Sequence, residues 1–298
     1  MHVPRVRARV LAVRLAVWLT ASLTACSCAL YASPKASRES GTGSQVSQAP
    51  QSTTVSMGGP DGAGHAPPPA HDELVTLPDS RQYLVGNLPT DGAPHPLMIV
   101  LGGLYVSPQN TERATNWTSF AWAHDWTVVY GVGQHESWDA GTCCGYAANQ
   151  GTDDVAYLRS VVADVQRFSS IDPRNIYLAG FSNGGMLAAD AACEMPNVFA
   201  AVVTVSGPLL VPSQGCSPTL ALHGIADATV PVDGGYSKVT GTYLPSARFI
   251  ASTQQAAGNI YDLAVLDGTG HAWPTRLNGQ PAAAAIVKWL TQHRLNTG

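Results

Sequence analysis

Apolar residues recur along this chain in short bursts separated by polar stretches, and the bursts have two different periods. Pro96-Leu97-Met98-Ile99-Val100-Leu101 is an unbroken apolar run of strand length, and mostly apolar runs of similar length occur at Trp126 to Tyr130, Ile176 to Phe181, Ala200 to Val205, Thr219 to His223 and Tyr261 to Leu266. Runs that are apolar on both faces predict strands buried within a parallel sheet. Between them the period lengthens. Val155, Leu158, Val161, Val162 and Val165 share one face of a helix running from Thr152-Asp153-Asp154 to Phe168, as a helix lying on a sheet requires. Asp153 and Asp154 stand in its first turn, where carboxylates cap free amides and oppose the helix dipole. Further helices are expected over Asn116 to His124 and from Gly185 through Cys193. Alternation at Glu73 to Leu77 and Arg81 to Leu88, around Pro78-Asp79, predicts a hairpin of edge strands. Strands and helices alternating at this length predict an α/β fold, a mostly parallel central sheet covered by helices on both faces. Ligands on such sheets bind at the carboxyl ends of the central strands.

One of those strand ends carries Gly180-Phe181-Ser182-Asn183-Gly184, with a helical pattern beginning at Gly185. A serine hydroxyl is a poor nucleophile until a base takes its proton. A sharp strand-to-helix turn lifts Oγ clear of the sheet, where a histidine can reach it. Glycines on either side permit the close approach that such a turn demands. If Ser182 is the nucleophile, an acid and then a histidine should follow in chain order, each on a loop after a strand. Asp227 follows the strand Thr219 to His223, and His271 follows the strand Tyr261 to Leu266. Asp233 competes for the role of acid and His223 for that of base. His223 ends the strand before the acid, a position that suits a structural residue under the site.

Acyl transfer also needs donors for the negative charge that develops on the carbonyl oxygen. On this fold one is the backbone N–H of the residue after the nucleophile, here Asn183, and the other comes from the turn after the third strand. That turn is Gly102-Gly103-Leu104-Tyr105, so Leu104 is the expected second donor, with Tyr105 as the adjacent alternative. Trp273, two residues after the histidine, is a candidate wall of a substrate cleft, as are Trp138 and Tyr105.

Gly180 to Met186, His223 to Pro231, Gly270-His271-Ala272-Trp273-Pro274 and Trp138 to Gly145 together resemble the secreted polyhydroxybutyrate depolymerase and feruloyl esterase type of α/β-hydrolase. The resemblance covers nearly all of Leu74 to Leu290. It implies a serine esterase acting on hydroxyalkanoate, acetyl or feruloyl esters through Ser182, Asp227 and His271, with neither metal nor organic cofactor. Where such proteins carry His-Gly after the third strand, this chain has Gly102-Gly103. A peptidase using the same three residues, and a lipid-anchored envelope protein that binds without turnover, are the alternative readings.

Composition and the first residues bear on where this chemistry would occur. Arg5, Arg7, Arg9 and Arg14 precede the apolar stretch Leu15 to Ala25, and no acid occurs before Glu39, the layout of a secretory signal peptide over residues 1–25. Leu23-Thr24-Ala25-Cys26 resembles a lipobox, in which Cys26 is lipidated; the alternative is an ordinary cut after Ala29 or Ala32, with Cys26 lost. Residues 26–72, dominated by Ser, Gly, Pro, Gln, Ala and Thr from Ser33 on, read as a flexible tether, and residues 73–298 as the catalytic domain. The formal net charge is −4, with no basic run beyond the first residues, so nothing recommends a nucleic-acid partner, and membrane contact is expected only through the lipid anchor. The partner is then an ester, small or polymeric. Of the six cysteines, Cys143, Cys144, Cys193 and Cys216 lie in the catalytic domain, where three pairings are possible. The family resemblance favours joining Cys193 to Cys216. Cys143 and Cys144 then form a vicinal disulfide or stay as two thiols, and a zinc site is the rival for all four.

Overall fold

The computed structural model describes residues 69–211 and 213–296. The expected signal segment, the expected lipidation site Cys26 and the stretch read as a tether up to residue 68 lie outside the described residues. The chain forms β1 (Leu74–Thr76), β2 (Gln82–Asn87), β3 (His95–Leu101), α1 (Pro108–Thr115), α2 (Trp117–His124), β4 (Thr127–Gly131), α3 (Gly145–Gln150), α4 (Asp154–Phe168), β5 (Ile171–Phe181), α5 (Asn183–Glu194), β6 (Ala201–Val205) and β7 (Thr219–Gly224). It continues through the hairpin β8 (Gly235–Ser237) and β9 (Thr242–Leu244), α6 (Ala247–Ala256), β10 (Tyr261–Leu266), the short pair β11 (Arg276–Leu277) and β12 (Gln280–Pro281), and α7 (Ala282–Leu290).

Eight strands make one sheet in the order β1-β2-β4-β3-β5-β6-β7-β10. The expected edge hairpin is present, with Thr76 paired to Gln82, and β2 runs antiparallel to β4; from β4 to β10 every pairing is parallel. The strand pleat divides the apolar residues between two layers. Leu97, Ile99 and Leu101 pack with Leu158 and Val161 of α4 and Met186 and Leu187 of α5, while Met98 and Val100 point the other way, into a cluster with Trp117, Ile286 and Leu290 from α2 and α7. This is the mostly parallel sheet, covered by helices on both faces, that the alternating pattern predicts.

The differences have local causes. Two helices meet at Asn116, which sits at φ 56° between them: α1, which the apolar pattern does not predict, and α2, which is the helix expected over Asn116 to His124. The first of these was signalled by Ser107-Pro108, since the Ser107 hydroxyl accepts from the Asn110 amide and Pro108 occupies the first helical position. In α4 only Asp153 caps, accepting from the Ala156 amide at 2.8 Å. Asp154 is fully buried, pairs with Arg81 at 2.6 Å and accepts from the Asp139 amide, so it ties the helix start to the residue that precedes β2 and to the loop before α3. A local pattern cannot reveal this, because Arg81 lies 73 residues upstream in the chain.

Candidate active site

Ser182 stands between β5 and α5 at φ 54° and ψ −120°, a conformation rare for a residue with a side chain. Neighbouring backbone holds it there. The Ser182 amide donates to the Val205 carbonyl at 2.8 Å, and its carbonyl accepts from the Met186 amide at 2.9 Å. The turn is packed backbone against backbone. A methyl group on Gly184 would strike the Gly102 carbonyl and stand 2.8 Å from Leu101 Cβ, and one on Gly207 would stand 2.7 Å from Gly185 Cα. Glycine at these positions is therefore a condition of the turn, which leaves Ser182 Oγ at the sheet's carboxyl rim.

Asp227 and His271 reach the same rim because β7 and β10 are parallel neighbours, paired from Thr219–Tyr261 to Gly224–Leu266. The loops that leave them run side by side: the Ile225 amide donates to the Leu266 carbonyl and the Ala226 amide to the Thr269 carbonyl, both at 3.0 Å. His271 Nδ1 lies 2.8 Å from Asp227 Oδ2, and His271 Nε2 lies 3.0 Å from Ser182 Oγ. The other oxygen of Asp227 accepts from the amides of Thr229 and Val230 at 2.9 and 2.8 Å. Burial disfavours the Asp227 charge, but the His271 hydrogen bond and the Val230 amide outweigh it and hold the carboxyl below its usual range. An ionised carboxylate only accepts, so Nδ1 of a neutral His271 carries the proton and Nε2 is free to accept from the serine hydroxyl.

The competing residues fall elsewhere. Asp233 is exposed and pairs with Arg248 at 3.0 Å. His223 is buried beneath the acid, its Nε2 2.7 Å from the Val230 carbonyl and 3.8 Å from Asp227 Oδ2, and burial pushes its pKa down. It braces the acid loop without reaching Ser182.

Beside Ser182 runs the turn after β3. A methyl on Gly103 would stand 3.2 Å from Ser182 Cβ, so this backbone passes directly over the serine. The amides of Leu104 and Asn183 find no acceptor among the described residues, whereas the Tyr105 amide donates to the Glu136 carbonyl at 2.7 Å. Tyr105 is thereby removed as the alternative donor, and its side chain is 70 % exposed on the outer side of the turn. Trp273 lines an apolar cavity of about 410 Å³ together with Phe181, His271, Ala272, Val106 and Gly103. Trp138 does not. It is 2 % exposed, with its indole N–H on the Gly102 carbonyl at 2.9 Å, so it packs under the turn. Its polar atom finds a buried acceptor there, which an open cleft would not offer. A second cavity, of about 450 Å³ and lined by Asp139, Asp153, Asp190 and Glu194 among others, contains none of these groups.

All four cysteines of the described residues are joined, Cys193 to Cys216 and Cys143 to its neighbour Cys144, which leaves no thiolate for zinc. Among the described residues His71, Asp72 and Glu112 have ligand atoms within 4.8 Å of one another, and none of them belongs to this site.

Known proteins resemble the chain in sequence and in fold. Residues 88–222 match the family model Esterase PHB depolymerase. NocK of Nocardia uniformis subsp. tsuyamanensis, whose name assigns it to the esterases, is 33% identical over 172 residues, 54% of this chain and 49% of NocK. The bifunctional acetylxylan esterase/xylanase XynS20E of Neocallimastix patriciarum is 30% identical over 146 residues, 47% of this chain and 20% of that protein. The chain thus spans about half the length of the first relative and about a fifth of the second. The acetyl xylan esterase structure from Aspergillus awamori superposes with a TM-score of 0.55 at 13% identity, covering 74% of this chain and 98% of that one. A thermostable esterase gives 0.53 at 18% identity, covering 75% and 62%. At these identities the structures speak for the fold, which is that of α/β-hydrolase esterases, and residues 88–222 of the chain carry an Esterase PHB depolymerase domain, similar in sequence to known acetylxylan and feruloyl esterases.

Proposed function

We propose that the protein is a serine esterase that hydrolyses carboxylic esters through an acyl-enzyme on Ser182. The hydrogen-bonded series Ser182–His271–Asp227, beside two unengaged backbone amides, carries this reading. His271 Nε2 takes the Ser182 proton as Oγ attacks the ester carbon, and the tetrahedral oxygen lies against the Asn183 and Leu104 amides. His271 returns the proton to the leaving alkoxide. Water, deprotonated by the same nitrogen, then attacks the acyl carbon and releases the acid. Asp227 keeps the imidazole in the tautomer this sequence needs. The apolar cavity beside Trp273 suits the acyl or alcohol part of a feruloyl, acetyl or hydroxyalkanoate ester, and the names of the relatives point to such esters. Export is part of the proposal, supported by the two disulfides, which persist in oxidising compartments. So are cleavage of a signal segment and lipidation of Cys26, on the pattern of the first residues.

A fluorophosphonate probe tests the reading directly. It should label the protein once, and peptide mass mapping should place the label on Ser182; an unlabelled protein that hydrolyses p-nitrophenyl butyrate would overturn it, and an unlabelled, inactive protein would favour a binding role. A panel of aminoacyl substrates beside the esters separates esterase from peptidase. Asp227→Asn should lower kcat by about 10⁴-fold with little change in KM, because an amide donor facing Nδ1 favours the wrong tautomer. A loss smaller than about tenfold would show that Asp227 does not orient the base.

A further inference from the structure

Both amides assigned above to the carbonyl oxygen belong to separate segments of chain, Leu104 to the turn after β3 and Asn183 to the first residue of α5. Two amides make a useful site only if the distance between them is held, and a single buried residue touches both segments. The Trp138 main-chain N–H donates to Asn183 Oδ1 at 2.8 Å, and Asn183 Nδ2 donates back to the Trp138 carbonyl at 3.0 Å. The Trp138 indole N–H donates to the Gly102 carbonyl at 2.9 Å. Two residues before Trp138, the Glu136 carbonyl accepts from the Tyr105 amide at 2.7 Å. The turn is therefore pinned on both sides of the Leu104 N–H, by Gly102 and by Tyr105, to the same short segment that grips Asn183. Asn183 and Trp138 are essentially excluded from solvent, at 0 % and 2 % exposure, so water cannot easily replace these bonds.

We propose that Trp138 and the Asn183 carboxamide are positioning residues that set the separation of the two oxyanion-binding amides. The inference rests on the serine-esterase reading above. Neither side chain touches the substrate; each acts through the backbone it holds. The Gly102 carbonyl accepts from the Trp138 indole and lies close enough to α5 that a methyl group on Gly184 would strike it, and a methyl group on Gly145, seven residues after Trp138, would stand 2.6 Å from Leu104 Cδ1. The segment from Glu136 to Gly145 thus supports the turn from behind as well as from its ends.

The test compares a p-nitrophenyl ester with its thiono counterpart, in which sulfur replaces the carbonyl oxygen. Sulfur accepts hydrogen bonds poorly, so the preference for the oxygen ester measures what the two amides contribute. Trp138→Phe keeps an aromatic ring in the core and removes only the bond to Gly102, and Asn183→Ala removes both bonds to Trp138 while leaving the Asn183 amide in place. In each variant kcat for the oxygen ester should fall about tenfold or more with KM nearly unchanged, and the oxygen-to-thiono ratio of kcat/KM should fall by a similar factor. General loosening of the fold would slow both esters alike and leave that ratio intact. A ratio within about twofold of wild type in both variants overturns the proposal, and should Asn183→Ala fail to fold, Trp138→Phe decides it alone. A wild-type protein that turns over neither ester would instead overturn the serine reading, and this one with it.

Discussion

Ser182→Ala is expected to lower kcat on p-nitrophenyl acetate and butyrate by at least about 10⁴-fold while leaving the thermal midpoint close to that of the wild type. The reason lies in what the substitution removes and what it leaves. Oγ is the one atom that would form the acyl bond, and no other hydroxyl lies against His271 Nε2 among the hydrogen bonds of the described residues. Water held by the same histidine and the same two amides sustains only residual hydrolysis. On the stability side the loss is small. The Cβ and the turn at φ 54° are retained, and His271 has a side-chain exposure of 20 %, enough for water to satisfy the freed nitrogen. Initial rates at saturating ester, together with a melting curve, check both halves of the expectation. Turnover within about tenfold of wild type would remove Ser182 from the mechanism.

Gly180→Ala should have the largest effect on the fold of any single methyl group considered. Gly180 is the last residue but one of β5, and its α-hydrogen faces the first turn of α5. An added Cβ would land on the Gly184 carbonyl and stand 2.7 Å from the Gly185 amide nitrogen. Those are backbone atoms with no rotamer to escape into, and Gly184 itself is pressed against Leu101 and Gly102 on its other side. The methyl would have to push α5 off the sheet, at a cost of about 3 kcal/mol, the upper end of ordinary overpacking. For a domain of this size that lowers the melting temperature by roughly 6–12 °C. Gly270→Ala is the control, since its nearest neighbour would be the Ala226 carbonyl at 3.7 Å, and it should shift the midpoint very little. Equal midpoints for the two variants would mean that the helix can move aside without penalty.

The elements of the sheet were legible in the chain to the extent that their side chains shared one environment. Pro96 to Leu101 is apolar at nearly every position because both faces of β3 are covered, and the run cannot be anything that touches water. Tyr261 to Leu266 was readable although it is an edge strand of the sheet, with Asp262 exposed and Leu263 to Leu266 half-buried, because its other residues are apolar, and its bounds as β10 agree with the pattern. Short polar helices were harder. Helix α1 is dominated by Pro, Gln, Asn, Thr, Glu and Arg, so it offers no apolar stripe, and its Ser-Pro start was the one available cue. Asp154 illustrates the opposite failure, a residue whose local setting suits a cap but which pairs with Arg81 across the fold.

The order of the chemistry-bearing groups and the elements that present them can be read from the chain alone: a serine in a glycine turn between a buried strand and a helix, then an aspartate and a histidine on loops after later strands, and four cysteines in the same domain. Those are consequences of local pattern, since a glycine without a side chain and a strand without polar positions announce themselves within a few residues. Which of these groups meet depends on how the strands and loops pack. Parallel pairing of β7 with β10 brings Asp227, and not Asp233, to His271. Burial turns Trp138 from a candidate cleft residue into a bridge between Asn183 and Gly102. A free amide at Leu104 and an engaged one at Tyr105 differ by a single hydrogen bond to Glu136, a residue 31 positions away in the chain. Such distinctions depend on distances of about 3 Å between segments that are remote in sequence, and no local propensity carries that information.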